Sequence, residues 1–238
     1  MKRKLFIVFI GFLLAGSAFA QKSKPWTEWS KKDADKVLND SPWAQTQVKG
    51  EARPDTSIGA IAKGSGRVPE NKDQSGDTLS SEIRLRIRFI TARPIREGFA
   101  RRILLAKQDP PKELQDQVQA FIDRDFGDRI VIGLNADGEN PRVVSGMLKG
   151  LAKLTTASFS DKVFLERKDR KRLPLIEYRP PTDDGMGGKF IFARSLEGSP
   201  FLSGDSESVR FIVNMTDSLK LDVKFKVSAM MYGEKLEY

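Results

Sequence analysis

Two adjacent carboxylates, Asp183 and Asp184, stand in the segment Asp-Asp-Gly-Met-Gly-Gly that follows Tyr178-Arg179-Pro180-Pro181. Paired carboxylates can divide acid and base roles across a glycosidic bond when a partner sits at a fixed distance on the other side. The sequence fixes no such partner, and adjacent aspartates before a strand are also ordinary turn chemistry. The glycines that follow open no helix, so they do not form a phosphate cradle. A second polar stretch, Asn135-Ala-Asp137-Gly138-Glu139-Asn140, has the outline of a calcium loop. In an EF-hand register its first and twelfth positions fall on Gly133 and Val144, and neither carries a carboxylate. A turn leading into a helix accounts for the same residues. No catalytic residue, metal ligand or cofactor is assigned.

Two absences narrow the chemistry further. The 238 residues include no His and no Cys. Ser-His and Cys-His nucleophilic catalysis, imidazole-ligated zinc and His-ligated haem are thereby excluded, as is a disulfide framework. No Ser-x-x-Lys spacing occurs either, which removes the commonest His-free serine acyl-transfer motif. A hydrolase built from this chain would have to rely on carboxylates, and glycan hydrolysis through the Asp183/Asp184 turn is the alternative to a binding role.

Binding chemistry is better represented. The three tryptophans, Trp26, Trp29 and Trp43, fall within 18 residues near the start of the chain. Trp supplies large contact area and marks many binding hot spots, so these three are candidate partner-binding residues. The competing reading is an arm that docks back on its own sheet and seals an apolar face. Arg84, Arg86 and Arg88 alternate with Ile83, Leu85, Ile87 and Phe89, which places three guanidiniums on one face of a strand. Arg binds two oxygens of a carboxylate or phosphate at once, so these are candidate anion-binding residues. The competing reading is a solvated sheet face whose charges are balanced across the strands.

The elements that must position these groups can be read from periodicity. Ser30 with Asp33 predicts a capping box and a helix over 31–39, ended by Asp40-Ser41-Pro42. Pro94 with Ile95, Phe99 and Ile103 predicts a helix, and Asp109-Pro110-Pro111 opens another that stops at Gly127. A strand over 129–135 and a helix over 142–154 follow. From residue 160 the pattern turns to strand: 163–166 and 173–178 around the charged turn Lys168-Asp169-Arg170-Lys171, then 189–194, 209–215 and 219–227. About seven strands and three or four helices, with helices mostly in the first half, predict an α+β fold with an antiparallel sheet.

The ends of the chain set its context. Lys2-Arg3-Lys4, the apolar run from Leu5 to Leu14 and Ala18-Phe19-Ala20 before Gln21 read as a cleaved signal peptide over 1–20. Export to the periplasm or beyond is the expected localisation, with no transmembrane segment once the signal is removed. Residues 21–43 then form a Trp-bearing arm. Residues 44–78, with five glycines, two prolines and no aromatic, read as a flexible linker. Residues 79–238 form the globular domain.

Lys24-Pro25-Trp26-Thr27-Glu28-Trp29 with Ser41-Pro42-Trp43, the arginine strand and Tyr178-Arg179-Pro180-Pro181 together resemble a group of exported bacterial proteins of unknown function. The resemblance implies export and no catalytic residue. The net charge is +9, of which the signal segment carries three basic residues and no acid. The mature chain keeps 38 basic residues against 32 acids, a moderate excess that permits an anionic partner without demanding one. The expected role is non-enzymatic binding in the cell envelope, to an envelope protein or an anionic envelope polymer and not to nucleic acid.

Overall fold

The computed structural model describes residues 24–49, 82–216 and 219–238. The signal segment and the stretch expected as linker from residue 50 onward lie outside the described residues. The chain begins with a 3₁₀ turn at Trp26–Glu28, then α1 (Lys31–Asn39) and β1 (Ala44–Lys49). β2 (Ile83–Phe89), α2 (Arg93–Leu105), α3 (Lys112–Ile122), β3 (Arg129–Gly138) and α4 (Pro141–Ala152) follow. The second half holds β4 (Val163–Arg167), β5 (Arg172–Pro174), β6 (Glu177–Arg179) and β7 (Gly188–Ala193). After the short β8 (Ser195–Leu196) and β9 (Ser199–Pro200) come β10 (Ser208–Asn214) and β11 (Lys220–Lys226). The small hairpin of β12 (Met231–Tyr232) and β13 (Lys235–Leu236) completes an α+β fold.

Among the described residues the long strands divide into two antiparallel sheets, ordered β1-β2-β3-β7-β6 and β11-β10-β4-β5. Register explains how they pack. Ile87 pairs with Leu134, Phe89 with Ile132, and Ile132 with Phe190, so one face of the first sheet is continuously apolar. Leu165, Phe211 and Val223 align in the same way in the second. The two faces meet through Phe89 against Phe225 at 4.9 Å and Phe190 against Phe211 at 5.3 Å, both near edge-on. Edge-to-face rings add to burial at such seams. α4 lies beside the second sheet on that same face, with the Tyr178 hydroxyl donating to Leu151 O at 2.9 Å.

The opposite face of the first sheet carries α1 and α2, and α3 packs outside them. α1 starts as its capping box dictates: Ser30 Oγ accepts from Asp33 N at 3.2 Å and the Asp33 carboxylate accepts from Ser30 N at 2.9 Å. A small second cluster, Ala100, Val118 and Ile122, joins α2 to α3.

Several sequence expectations shift, the first being α3, which ends at Ile122 and not at Gly127. Ala44–Lys49, expected to open the linker, is the edge strand β1, paired along its whole length with β2. Its polar composition is consistent with that place, because only one of its edges is bonded in the sheet. The strand expected over 173–178 is two strands, β5 in one sheet and β6 in the other. The chain thus crosses between sheets near Leu175 and Ile176, a change of direction that hydropathy alone does not record. β3 runs to Gly138 and not to Asn135, because Ala136, Asp137 and Gly138 pair with Leu85, Arg84 and Ile83.

Candidate anion-binding face

The predicted site residues do not form one site. Trp43 is 7 % exposed and belongs to the main core. Its indole Nε1 donates to Glu237 O at 2.8 Å, and Tyr232 meets its ring edge-on at 6.1 Å. Trp29 is 8 % exposed; its Nε1 donates to Lys24 O at 2.9 Å and its own carbonyl accepts from Arg101 Nε at 2.5 Å. Trp26 is half-buried against the α2–α3 cluster. Trp29 and Trp43 therefore lie in the interior of the chain's own fold, not on a partner-facing surface, and they tie the arm and the C-terminal hairpin to it.

The arginine strand separates in a similar way. Arg88, expected on a wet face, is buried at 5 % exposure because α1 and α2 close over that end of the sheet. Its Nε donates to Leu38 O at 2.5 Å, and its guanidinium stands 5.4 Å from the centre of the Phe99 ring. Burial, with Arg86 nearby, lowers its pKa to about 10, so it stays charged at neutral pH. Arg84 and Arg86 share one partner. Their Nε atoms donate to the two carboxylate oxygens of Asp137 at 2.5 and 2.6 Å. Desolvation opposes ionisation of Asp137, but the two guanidinium bonds outweigh it and hold its carboxyl below the usual range. Arg84 and Arg86 are thus partly balanced across the strands, directly for Arg84, whose register partner is Asp137.

The acidic candidates are also engaged. Asp184 pairs with Lys189 at 2.6 Å and accepts from Met186 N at 2.9 Å, as a turn aspartate does. Asp183 is exposed at the rim of an open groove of about 550 Å³ between α4 and the loop before β7. Among the described residues no group of three or more acidic side chains could hold a metal ion.

The cations that sequence reasoning did not single out lie on the outer face of the second sheet. Its register places Lys224, Arg210, Glu166 and Arg172 in one row across four strands. Glu166 has a side chain only 2 % exposed, yet it sits on the outer face. Guanidiniums cover it: Arg172 Nε donates to Oε2 at 2.7 Å, and Arg170 and Arg210 Nη1 donate to Oε1 at 3.2 and 3.3 Å. The hydrogen bond from Arg172 is the largest influence keeping the Glu166 carboxyl below its ordinary pKa. Arg210 is further held by Asp222, with Nε to Oδ1 at 2.8 Å. Arg172 stacks on Phe164, 4.2 Å from its centre, which fixes the plane of its fork.

Around that row, Lys220, Lys224 and Lys226 are exposed along β11. Same-face residues on a strand recur about every 7 Å and neighbouring strands lie about 4.8 Å apart. The face therefore carries six cations, counting Arg170 at the adjoining turn, over Glu166 and Asp222, while Asp169 and Glu207 at its margin pair with Arg167 and Lys168. The traces of this face in the sequence are the charged turn 168–171 and the alternating lysines of β11. Placing them side by side requires the pairing of β4, β10 and β11, which is not local information.

Comparison with protein-family models, with curated proteins and with solved structures finds no match. Among the described residues, no helix is long and apolar enough to cross a membrane.

Proposed function

We propose that this chain is an exported, non-enzymatic binding protein of the cell envelope that attaches to an anionic polymer through the outer face of its second sheet. The observation that carries the reading is the charge imbalance on that face. Six cations stand over two carboxylates, both of which are already bonded to arginines of the same array. An open face with cations spread over four strands suits an extended polymer better than a small molecule, which calls for an enclosing pocket. The arginine strand suits this role less well, since Arg84 and Arg86 are paired with Asp137 and α1 covers Arg88. Glycan hydrolysis gains nothing from the geometry, because Asp184 is committed to Lys189.

The test is binding of the mature chain to a polyuronate and to inorganic polyphosphate over a range of salt. Affinity should fall about tenfold or more between roughly 50 and 200 mM salt, as displaced counterions require. The triple variant Lys220→Ala, Lys224→Ala, Lys226→Ala should abolish most of it. A matched triple variant at Lys107, Lys112 and Lys153, all exposed at or next to helix ends and outside this face, should bind like the parent. Equal loss in both triple variants would show that net charge alone, and not this face, attracts the polymer.

A further inference from the structure

The row centred on Glu166 differs from the rest of the cationic face in being built. Lysines of β11 project as single charges, whereas Arg170, Arg172 and Arg210 converge on one buried carboxylate. Each of Arg170 and Arg172 spends one nitrogen on Glu166, and among the described residues the other two nitrogens of each guanidinium have no hydrogen-bond partner, with side chains 77 % and 56 % exposed. Arg210 is fully engaged, bonding Glu166 through Nη1 and Asp222 through Nε and Nη2. Arg172 and Arg170 therefore offer the forks, and Glu166, Asp222 and the Phe164 ring hold the assembly rigid.

The backbone adds an independent observation. Arg170 occupies a left-handed conformation, φ 67°, in the β4–β5 turn. Glycine or asparagine is the ordinary occupant of such a position. The turn is otherwise well made: Arg170 N donates to Arg167 O at 3.0 Å, Arg167 N donates to Lys171 O at 3.0 Å, and Asp169 accepts from Arg167 Nε at 3.0 Å. An arginine at the strained position brings a third guanidinium over Glu166, which glycine would not.

Local charge then draws anions to the row. Arg170, Arg172, Arg210 and the cross-strand neighbour Lys224 give four positive charges, and Glu166 with Asp222 gives two negative ones. The surplus of two draws an anion to the row but does not choose its kind, since the internal groups of a phosphate polymer carry about one charge each, as a carboxylate does. Arg170 and Arg172 are anchored on different oxygens of Glu166, and a tetrahedral phosphate, with oxygens on more than one side, can meet both forks where a planar carboxylate fills one. We infer that Arg170 and Arg172, positioned by Glu166, form a phosphate-binding site, so that the polymer recognised by this face carries phosphate groups and not carboxylates alone. The inference rests on the binding role proposed above for the face.

The experiment compares inorganic polyphosphate with polyglutamate of matched length, titrated against the mature chain at one fixed salt concentration. The parent should prefer polyphosphate by at least about fivefold. Arg172→Lys keeps the charge and removes the fork, and it should lower polyphosphate affinity about tenfold with little effect on polyglutamate. Glu166→Gln removes a negative charge, so polyglutamate should bind as well as or better than before, while the preference for polyphosphate collapses. That opposite movement is the signature of a positioning residue and not of simple charge. Equal binding of both polymers by the parent, or an unchanged ratio in Arg172→Lys, overturns the phosphate site and leaves the broader role of the face standing. Binding of neither polymer overturns both. Attachment to phosphatidylglycerol vesicles without binding of soluble polyphosphate would also overturn the site as stated, by assigning the face to a membrane surface.

Discussion

Replacing Arg170 separates stability from binding, and the structure fixes the order of the outcomes. At φ 67° a side chain with a Cβ carries a penalty of about 1–2 kcal/mol that glycine does not. Glycine loses about 0.4–1 kcal/mol more conformational freedom on folding, so Ala→Gly at this position should gain about 0.5–1 kcal/mol. Both truncations remove the ion pair to Glu166, but with Arg170 77 % exposed that pair contributes only about 0–1 kcal/mol. Arg170→Ala should therefore fall about 0.5 kcal/mol below the parent, and Arg170→Gly should equal or slightly exceed it. Urea denaturation followed by tryptophan fluorescence reads this directly, since Trp29 and Trp43 are buried and report unfolding. Polyphosphate affinity should drop equally in the two variants, because both lack the guanidinium. An Ala variant as stable as the Gly variant would refute the strain argument. Unequal binding losses would show that the turn's shape, and not the guanidinium, matters for recognition.

Two further outcomes follow from the interior. Trp43→Ala removes a core indole together with its bond to Glu237 O, and should cost about 3–5 kcal/mol in the same urea assay. A loss below about 1 kcal/mol would mean that Trp43 is not core. Asp137 has a folded-state pKa below its ordinary value of 3.8, so its contribution is complete above that value and is lost as pH falls through the lower folded-state pKa. Asp137→Asn should consequently destabilise the protein near pH 7, and the gap to the parent should narrow in urea midpoints measured below pH 3.8. A gap that stays constant across that range would remove the carboxylate's charge from the explanation.

Local order was legible where it depends on neighbours in sequence. The capping box at Ser30 and Asp33 sets the start of α1, and Ile83 to Phe89 alternates as one strand because its two faces meet different surroundings. Pro94 near the start of α2 is tolerated where the first-turn amide would be unpaired in any case. What was not legible depends on pairing between distant segments. β5 and β6 look like one strand in hydropathy, yet Leu173 pairs with Leu165 while Tyr178 pairs with Phe190, in different sheets. β1 lacks the usual strand composition and is held by its partner β2. Ile103, expected on the buried stripe of α2, is 40 % exposed, because α1 and α3 leave that part of the helix uncovered.

The arginines show most clearly why a functional surface cannot be read from one strand. Arg84, Arg86 and Arg88 are the densest positive run in the chain's alternating segments, yet each meets an acceptor brought by another element: Asp137 from β3, or Leu38 O from α1. Glu166 attracts no notice in sequence, since a single acid beside Arg167 looks like ordinary surface pairing. Only when β4 is set between β5 and β10 does it become a buried anchor under three guanidiniums. A strand's charge is thus cancelled or concentrated by the strands beside it. In this fold, concentration occurs on the outer face of the second sheet, where three guanidiniums converge on Glu166.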